Sequence, residues 1–278
     1  MPAEVIRIFS DLHYGDRSSR ITHLRSLQPL AEGASRVILN GDSLDTRPGP
    51  SPEHNAQTRA ELEGYFGSWG PPVTYLTGNH DPDFGSLHYL DLADDRLFII
   101  HGDILYPDIV PWGLDAPLIR ERMEAAWRAS PVARGTASLA ERFAVQREVA
   151  RSIPQRHQSE RNRWRYYRRL ATDMIWPPWR VPAVMAAWAA YPRLAERFAG
   201  HFRPQTQFML TGHTHRPGIW QRPGGFTLVN TGSLCRPFGA LAVDFQEELL
   251  QIRPIEPRGG EFRLGGMVAE LRLRPPTR

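Results

Sequence analysis

Five times in this chain a short β-branched or aliphatic run stops at a small residue and then presents Asp or His. Ile6-Arg7-Ile8-Phe9-Ser10 leads to Asp11-Leu12-His13, and Val37-Ile38-Leu39-Asn40 leads to Gly41-Asp42-Ser43-Leu44-Asp45. Val73-Thr74-Tyr75-Leu76 leads through Thr77 to Gly78-Asn79-His80-Asp81. Phe98-Ile99-Ile100 leads to His101-Gly102-Asp103, and Phe208-Met209-Leu210-Thr211 to Gly212-His213-Thr214-His215. Runs this short and apolar read as buried strands. Loops at the carboxyl ends of neighbouring strands converge on one crevice while the strands hold them rigid. If the five strands are neighbours, Asp11, His13, Asp42, Asn79, His101, His213 and His215 meet in one place.

Each stretch alone is an ordinary turn, because Gly and Asn accept left-handed backbone and Asp hydrogen-bonds locally. Their repetition is what points to a site. Oxygen and imidazole donors without thiolate suit divalent Mn, Fe or Zn, and a set this large can hold two ions. His213 and His215 alternate and would face opposite sides of a regular strand, so they converge only on a loop, which Gly212 permits. His23, His54, His88, His157 and His201 have no supporting motif and read as structural or surface residues.

With 278 residues and 41% hydrophobic content, the chain can form one large domain or a domain carrying an insertion. Ile21, Leu24, Leu27, Leu30 and Ala31 predict a crossover helix between the first two strands, and Ala56, Ala60, Leu62, Tyr65, Phe66 and Trp69 predict a second. Arg47-Pro48-Gly49-Pro50-Ser51-Pro52 between them reads as a surface connector. Strand, helix, strand alternation predicts a mostly parallel sheet covered on both faces. After His215, residues 226–230, 241–245 and 249–255 predict antiparallel strands. The segment Asn230-Thr231-Gly232-Ser233 is expected to pack near the site, and residues 272–278 to be a disordered tail.

Residues 104–204 break the alternation and read helical near 115–129, 137–153, 155–171 and 183–203. We therefore divide the chain into a core of 1–103 and 205–271 and an inserted helical cap of 104–204. The cap holds 17 Arg against 9 acidic residues, a charge of +8, whereas the rest carries −4; it also holds six of the eight Trp. There is no Lys in the chain, so all 34 basic residues are Arg, and arginine identity alone says little. The charge asymmetry stands regardless, since a bias in residue type does not place charge. Its densest cluster, Arg161, Arg163, Arg165, Arg168 and Arg169 around Trp164, Tyr166 and Tyr167, is the candidate substrate-binding surface. Arginine forks bind phosphate and tryptophan favours polar–apolar boundaries, which suits a phosphorylated amphiphile, an anionic membrane surface or a nucleic acid. A solvated helix face would carry the same residues.

No leader-like basic and apolar stretch is visible, residues 181–192 are too short to span a bilayer, and the single Cys235 excludes an internal disulfide or a cysteine metal cluster. A cytoplasmic protein, with peripheral contact at the inner face of the membrane through the insertion, is the expectation.

The five blocks, Asp-x-His, Gly-Asp-x-x-Asp, Gly-Asn-His-Asp, a later His and Gly-His-x-His, resemble in wording and order the calcineurin-like metallophosphoesterase family. The resemblance covers residues 11 to 215. It implies an α/β fold with a two-sheet β-sandwich core flanked by helices. It also implies two divalent metal ions, Mn foremost with Fe or Zn as alternatives. Asp11, His13 and His215 would hold one ion, Asn79, His101 and His213 the other, and Asp42 would bridge them. His80 would be the leaving-group proton donor, oriented by Asp45. Two ions some 3.5–4 Å apart would clamp a phosphoryl displacement and supply hydroxide at neutral pH. Asp81 and Asp103 are expected behind the ligands, and Asp83 has no assigned role.

The resemblance predicts a phosphoester hydrolase whose substrate is a phosphodiester or pyrophosphate of a phosphorylated small molecule. Within the family, His-Gly-Asp before a long basic insertion and Gly-His-Thr-His-Arg-Pro after it are similar to bacterial UDP-2,3-diacylglucosamine hydrolases. Those cleave a nucleotide-linked lipid in lipid A synthesis; many carry Arg where His80 stands here. A nuclease, a cyclic-nucleotide phosphodiesterase and a non-catalytic scaffold are the other readings. Oligomeric state is not encoded in any of these motifs.

Overall fold

The computed structural model describes residues 4–49, 51–155, 164, 165, 168, 172 and 176–275. Along the chain the strands are β1 (Ile6–Phe9), β2 (Arg36–Asn40), β3 (Val73–Leu76), β4 (Tyr89–Leu92), β5 (Leu97–Ile100) and β6 (Phe208–Thr211). There follow β7 (Gly218–Gln221), β8 (Thr227–Asn230), β9 (Ala240–Gln246), β10 (Leu249–Arg258), β11 (Glu261–Leu264) and β12 (Ala269–Arg272). The long helices are α1 (Pro52–Gly67), α2 (Ala116–Ala129), α3 (Leu139–Ser152) and α4 (Arg180–Phe202).

The strands form two mixed sheets rather than one mostly parallel sheet. In the first, parallel β1, β2 and β3 continue through antiparallel β9, β10 and β11, with β12 also on β10; in the second the order is β4-β5-β6-β8-β7. Within the second, β5, β6 and β8 are parallel and the two edges antiparallel. The half-buried edges β4 and β7 lack the apolar runs that mark the central strands, which hid them from the sequence reading.

Period-two alternation sorts the side chains into layers. Leu97 and Ile99 of β5 enter a core between the sheets with Ile6, Ile8, Ile38, Leu210 and Val229. Phe98 and Ile100 point the other way, onto Phe143 of α3 and Ala187, Tyr191 and Ala195 of α4. On the far side of the first sheet, Phe9, Val37 and Leu39 pack against Leu27, Leu30, Leu62 and Phe66. Removing such a side chain from water contributes roughly 1.5–3 kcal/mol each. The inserted helices thus complete a layer of the fold. A capping box between Ser138 and Glu141 starts α3, and α2 packs on it through Ile119, Met123, Val149 and Ala150.

Two expectations are corrected. The stretch after β1 forms a 3-10 helix over Leu24–Leu30, not an α-helical crossover. Leu24, Leu27 and Leu30 recur every three residues, which puts them on one face of a three-residue turn, and Pro29 has no N–H for an α-helical bond. The segment from Arg272 is ordered through its first residues. Arg272 pairs in β12, Leu273 is buried in the inter-sheet core, and the Arg274 N–H donates to Gln207 Oε1 at 2.7 Å. Among the described residues no helix is long and apolar enough to cross a membrane.

Candidate metal centre

The carboxyl ends of β1, β2 and β3 in one sheet and of β5 and β6 in the other lie along the same edge of the sandwich. Cross-sheet bonds bind them: Asn40 Nδ2 donates to the Ile100 carbonyl at 2.8 Å, and His101 Nδ1 lies 3.0 Å from the Asn40 carbonyl. Immediately beyond the strands the backbone turns left-handed at Asp11, His13, Asp42, His213 and His215, with φ between 45° and 66°. Such geometry costs a non-glycine residue about 1–2 kcal/mol and persists where the surroundings fix it, commonly at functional sites. It is also how His213 and His215, which a regular strand would separate, reach one cluster. At Gly78 and Gly212 a Cβ would overlap the Asp42 and Asp11 carboxylates, so the loops approach this closely only through glycine.

The side chains fall into three groups whose donor atoms lie within 4.8 Å of one another: Asp11, His13 and His215; Asp42, His101 and His213; and His13, Asp42 and His80. His215 Nε2 is 3.3 Å from Asp11 Oδ1 and 3.1 Å from His13 Nε2. Asp42 Oδ2 is 3.2 Å from His101 Nε2 and 3.7 Å from His13 Nε2. Asp42 therefore stands between the first two groups.

The ring orientations turn the second nitrogen of each imidazole inward. His101 Nδ1 donates to the Asn40 carbonyl, and His213 Nε2, 2.8 Å from the Ile109 carbonyl, donates there. Asn79 Oδ1 is buried and has no hydrogen-bond partner among the described residues, while His101 Nε2, also buried, faces Asp42 Oδ2 at 3.2 Å. A buried acceptor without a donor costs about 1–3 kcal/mol unless something completes it. Backbone carbonyls behind imidazoles are the usual means of orienting metal ligands. These donors fit divalent cations.

The charge distribution agrees. Burial alone would raise the Asp11 and Asp42 carboxyls, but the surrounding imidazoles, His101 foremost, hold both well below the usual carboxylate range. Asp42 and Asp11 in turn raise His101 to about 10 against its burial, while burial and the charge on His101 push His213 down to about 4. Two ionised carboxylates thus draw positive charge into the buried cluster.

Behind the cluster, Asp81 accepts N–H bonds from Asp42 (3.0 Å), Ser43 (2.6 Å) and Gly78 (2.6 Å), tying two loops together. Ser233 Oγ donates to the Asp11 carbonyl at 3.1 Å, and Asn230 Nδ2 to Thr214 Oγ1 at 3.0 Å, which seats the 230–233 turn against the site. Asp83 pairs with Arg151 of α3. His88, without a motif, meets Thr77 Oγ1 at 2.7 Å and stacks on Phe143; His157 lies outside the described residues.

His80 and Asp45 are brought together, but not alone. Asp45 Oδ2 is 3.1 Å from His80 Nδ1, and Arg47 Nη2 is 2.8 Å from the same nitrogen. Arg47 also grips Asp45 in a fork at 3.0 and 2.7 Å. Nδ1 thus meets one donor, Arg47, and one acceptor, Asp45. Burial and the Arg47 charge push His80 below its ordinary value against the pull of Asp42 and Asp45. The sequence reading placed Arg47 in a surface connector; its position two residues after Asp45 was the available signal.

The cluster floors a cleft of about 290 Å³. Asp42, Asn79, His80, His213 and His215 reach it, the insertion supplies Val110, Trp112, Val184 and Trp188, and Arg180 and Arg236 add charge. Of the predicted substrate-binding arginines, Arg161, Arg163 and Arg169 lie outside the described residues. Arg165 and Arg168 are exposed and do not line the cleft, where Arg180 and Arg236 stand instead.

No protein-family model and no curated protein matches the chain. Among solved structures it is similar to vacuolar protein sorting 29 from Cryptosporidium parvum, at 12% identity and a TM-score of 0.45 over 98% of this chain and 99% of that one. A dimetal phosphatase from Danio rerio is 11% identical, with a TM-score of 0.43 over 91% and 96% of the two chains. A conserved uncharacterized protein of Streptococcus pneumoniae, described as a predicted phosphoesterase, is 12% identical with a TM-score of 0.39 over 95% and 98%. These likenesses are weak, and the chemistry of the site rests on its own geometry.

Proposed function

We propose that this protein is a phosphoester hydrolase dependent on two divalent ions, with Mn the first metal to test and Fe and Zn next. The observation that carries the reading is the continuous donor set through Asp42, with Asn79 Oδ1, unpartnered among the described residues, beside the cleft and His101 Nε2 buried 3.2 Å from Asp42 Oδ2. Asp11, His13 and His215 hold one ion, Asn79, His101 and His213 the other, and Asp42 serves both. Bound there, such ions supply an activated water and compensate the charge of a phosphoryl group in displacement.

The protein's own residues do the rest. His80, its ring against the cleft, donates the Nε2 proton of its imidazolium form to the leaving oxygen and is left as neutral imidazole, with Asp45 accepting from Nδ1–H. Arg47 and Asp45 hold its orientation. Arg180 and Arg236 take up charge on a second phosphate or on the ester's non-bridging oxygens. Hydrolysis of bis-p-nitrophenyl phosphate by the Mn-reconstituted protein, beside Asp42→Asn, tests the reading. Turnover that the variant loses supports it; equal turnover in both overturns it.

One observation favours a nucleotide-linked lipid as the substrate, as in a UDP-2,3-diacylglucosamine pyrophosphatase. The apolar wall of Trp112, Val184 and Trp188 continues along α4 to exposed Val181 and Met185, beside exposed Trp179. That surface suits acyl chains and peripheral contact with a membrane. UMP release from the diacylated nucleotide is the measurement, and its absence at high enzyme concentration removes this substrate.

A further inference from the structure

Arg147, in the second half of α3, is only 1% exposed, and its guanidinium spans two loops of the core. Nε donates to Thr77 Oγ1 at 2.9 Å and Nη2 to the Thr77 carbonyl at 2.9 Å. On its other side Nη1 pairs with Asp103 Oδ2, and Nη2 donates to Asp103 Oδ1 at 3.2 Å. Gln146 adds a bond to Asp103 Oδ2 at 3.0 Å. Thr77 lies two residues before Asn79, and Asp103 two residues after His101. One rigid fork from the insertion therefore clasps the two loops that deliver Asn79 and His101.

We propose that Arg147 is a positioning residue of the metal centre, setting the spacing between the Asn79 and His101 loops and hence the affinity for the ion those residues share. The proposal rests on the two-metal reading above. Asp11, His13 and His215 stand on loops that Arg147 does not touch, so the ion they hold is insensitive to it. The guanidinium matters through shape as well as charge: four of its bonds go to two residues in a fixed fork, which an ammonium cannot reproduce. Arg151, one turn further along α3, provides the contrast, since its half-exposed pair with Asp83 touches the Asn79 loop alone, four residues past Asn79, and does not bridge it to the His101 loop.

The test is Mn²⁺ titration calorimetry, with metal content after dialysis and thermal unfolding, on the full chain and on Arg147→Gln, Arg147→Lys and Arg151→Gln. Wild type is expected to bind two ions. Arg147→Gln is expected to bind one with wild-type affinity and the other about 10- to 100-fold more weakly, the usual effect of losing a group that orients ligands. Arg147→Lys should fall between, and Arg151→Gln should match wild type. If Arg147→Gln does not fold, Arg147→Lys decides by the same selective loss. Equal weakening of both ions, or unchanged binding in a folded Arg147 variant, overturns the proposal. A wild-type protein that binds fewer than two ions overturns the two-metal reading itself, and that is seen before any variant is compared.

Discussion

The floor of the cleft is built from loops held in left-handed geometry and pressed together through glycines, whereas its wall is the ordinary surface of inserted helices. On the floor, Asp11, Asp42 and His101 are buried, and their neighbours tolerate no added atom at Gly78 or Gly212. On the wall, Trp188 leans edge-on to Phe238 at 5.7 Å and lies under Arg216 at 5.4 Å, contacts that other large side chains could replace. On the proposed reading the contrast is a division of labour: the floor would fix which reaction is possible, and the wall would select the molecule that undergoes it.

Substitutions on the two surfaces should separate these roles. Asp11→Asn, on the floor, is expected to lower turnover of bis-p-nitrophenyl phosphate roughly a thousandfold, since metal-based charge stabilisation is worth several kcal/mol. Metal analysis should show the loss of one ion, and retained activity with one ion missing would break the division. His80→Gln, at the boundary, is expected to cost about a hundredfold in kcat on an alkyl phosphodiester with metal content unchanged, the lower end for a positioned proton donor. The loss should shrink for esters of acidic phenols, whose leaving oxygen needs no proton. Trp188→Ala, on the wall, is the smallest: KM for an apolar ester should rise up to about tenfold with kcat and metal content as in wild type. A kcat effect as large as that of His80→Gln would mean the wall takes part in the chemistry.

The same contrast governs what could be read from the sequence. The strand ends with Asp, Asn and His were legible because each buried strand is a short apolar run that stops at a small residue, and a local pattern of that kind survives without knowledge of tertiary contacts. Left-handed φ at Asp11 or His213 was not, since it is imposed by packing. Nor was Arg47 in the His80 pair or Arg147 in the clasp, because each partner comes from a distant segment or a loop that looked like a connector. The helices over 116–129, 139–152 and 180–202 followed their apolar spacing closely. The spacing at 24–30 misled through a period of three that a 3-10 helix satisfies. Arginine density drew attention to residues 161–169, while the charges lining the cleft, Arg180 and Arg236, stand alone in apolar sequence.

The way β5 shares its side chains between two cores bears on how the chain could be engineered. Excising residues 104–204 to obtain a minimal core would bare Phe98, Ile100, Met209 and Leu228 along one whole sheet face, a surface on which separate molecules would stick together. The turn at residues 131–136, mostly exposed between α2 and α3, imposes no such penalty. A fluorescent reporter or an affinity handle spliced there would leave both cores intact.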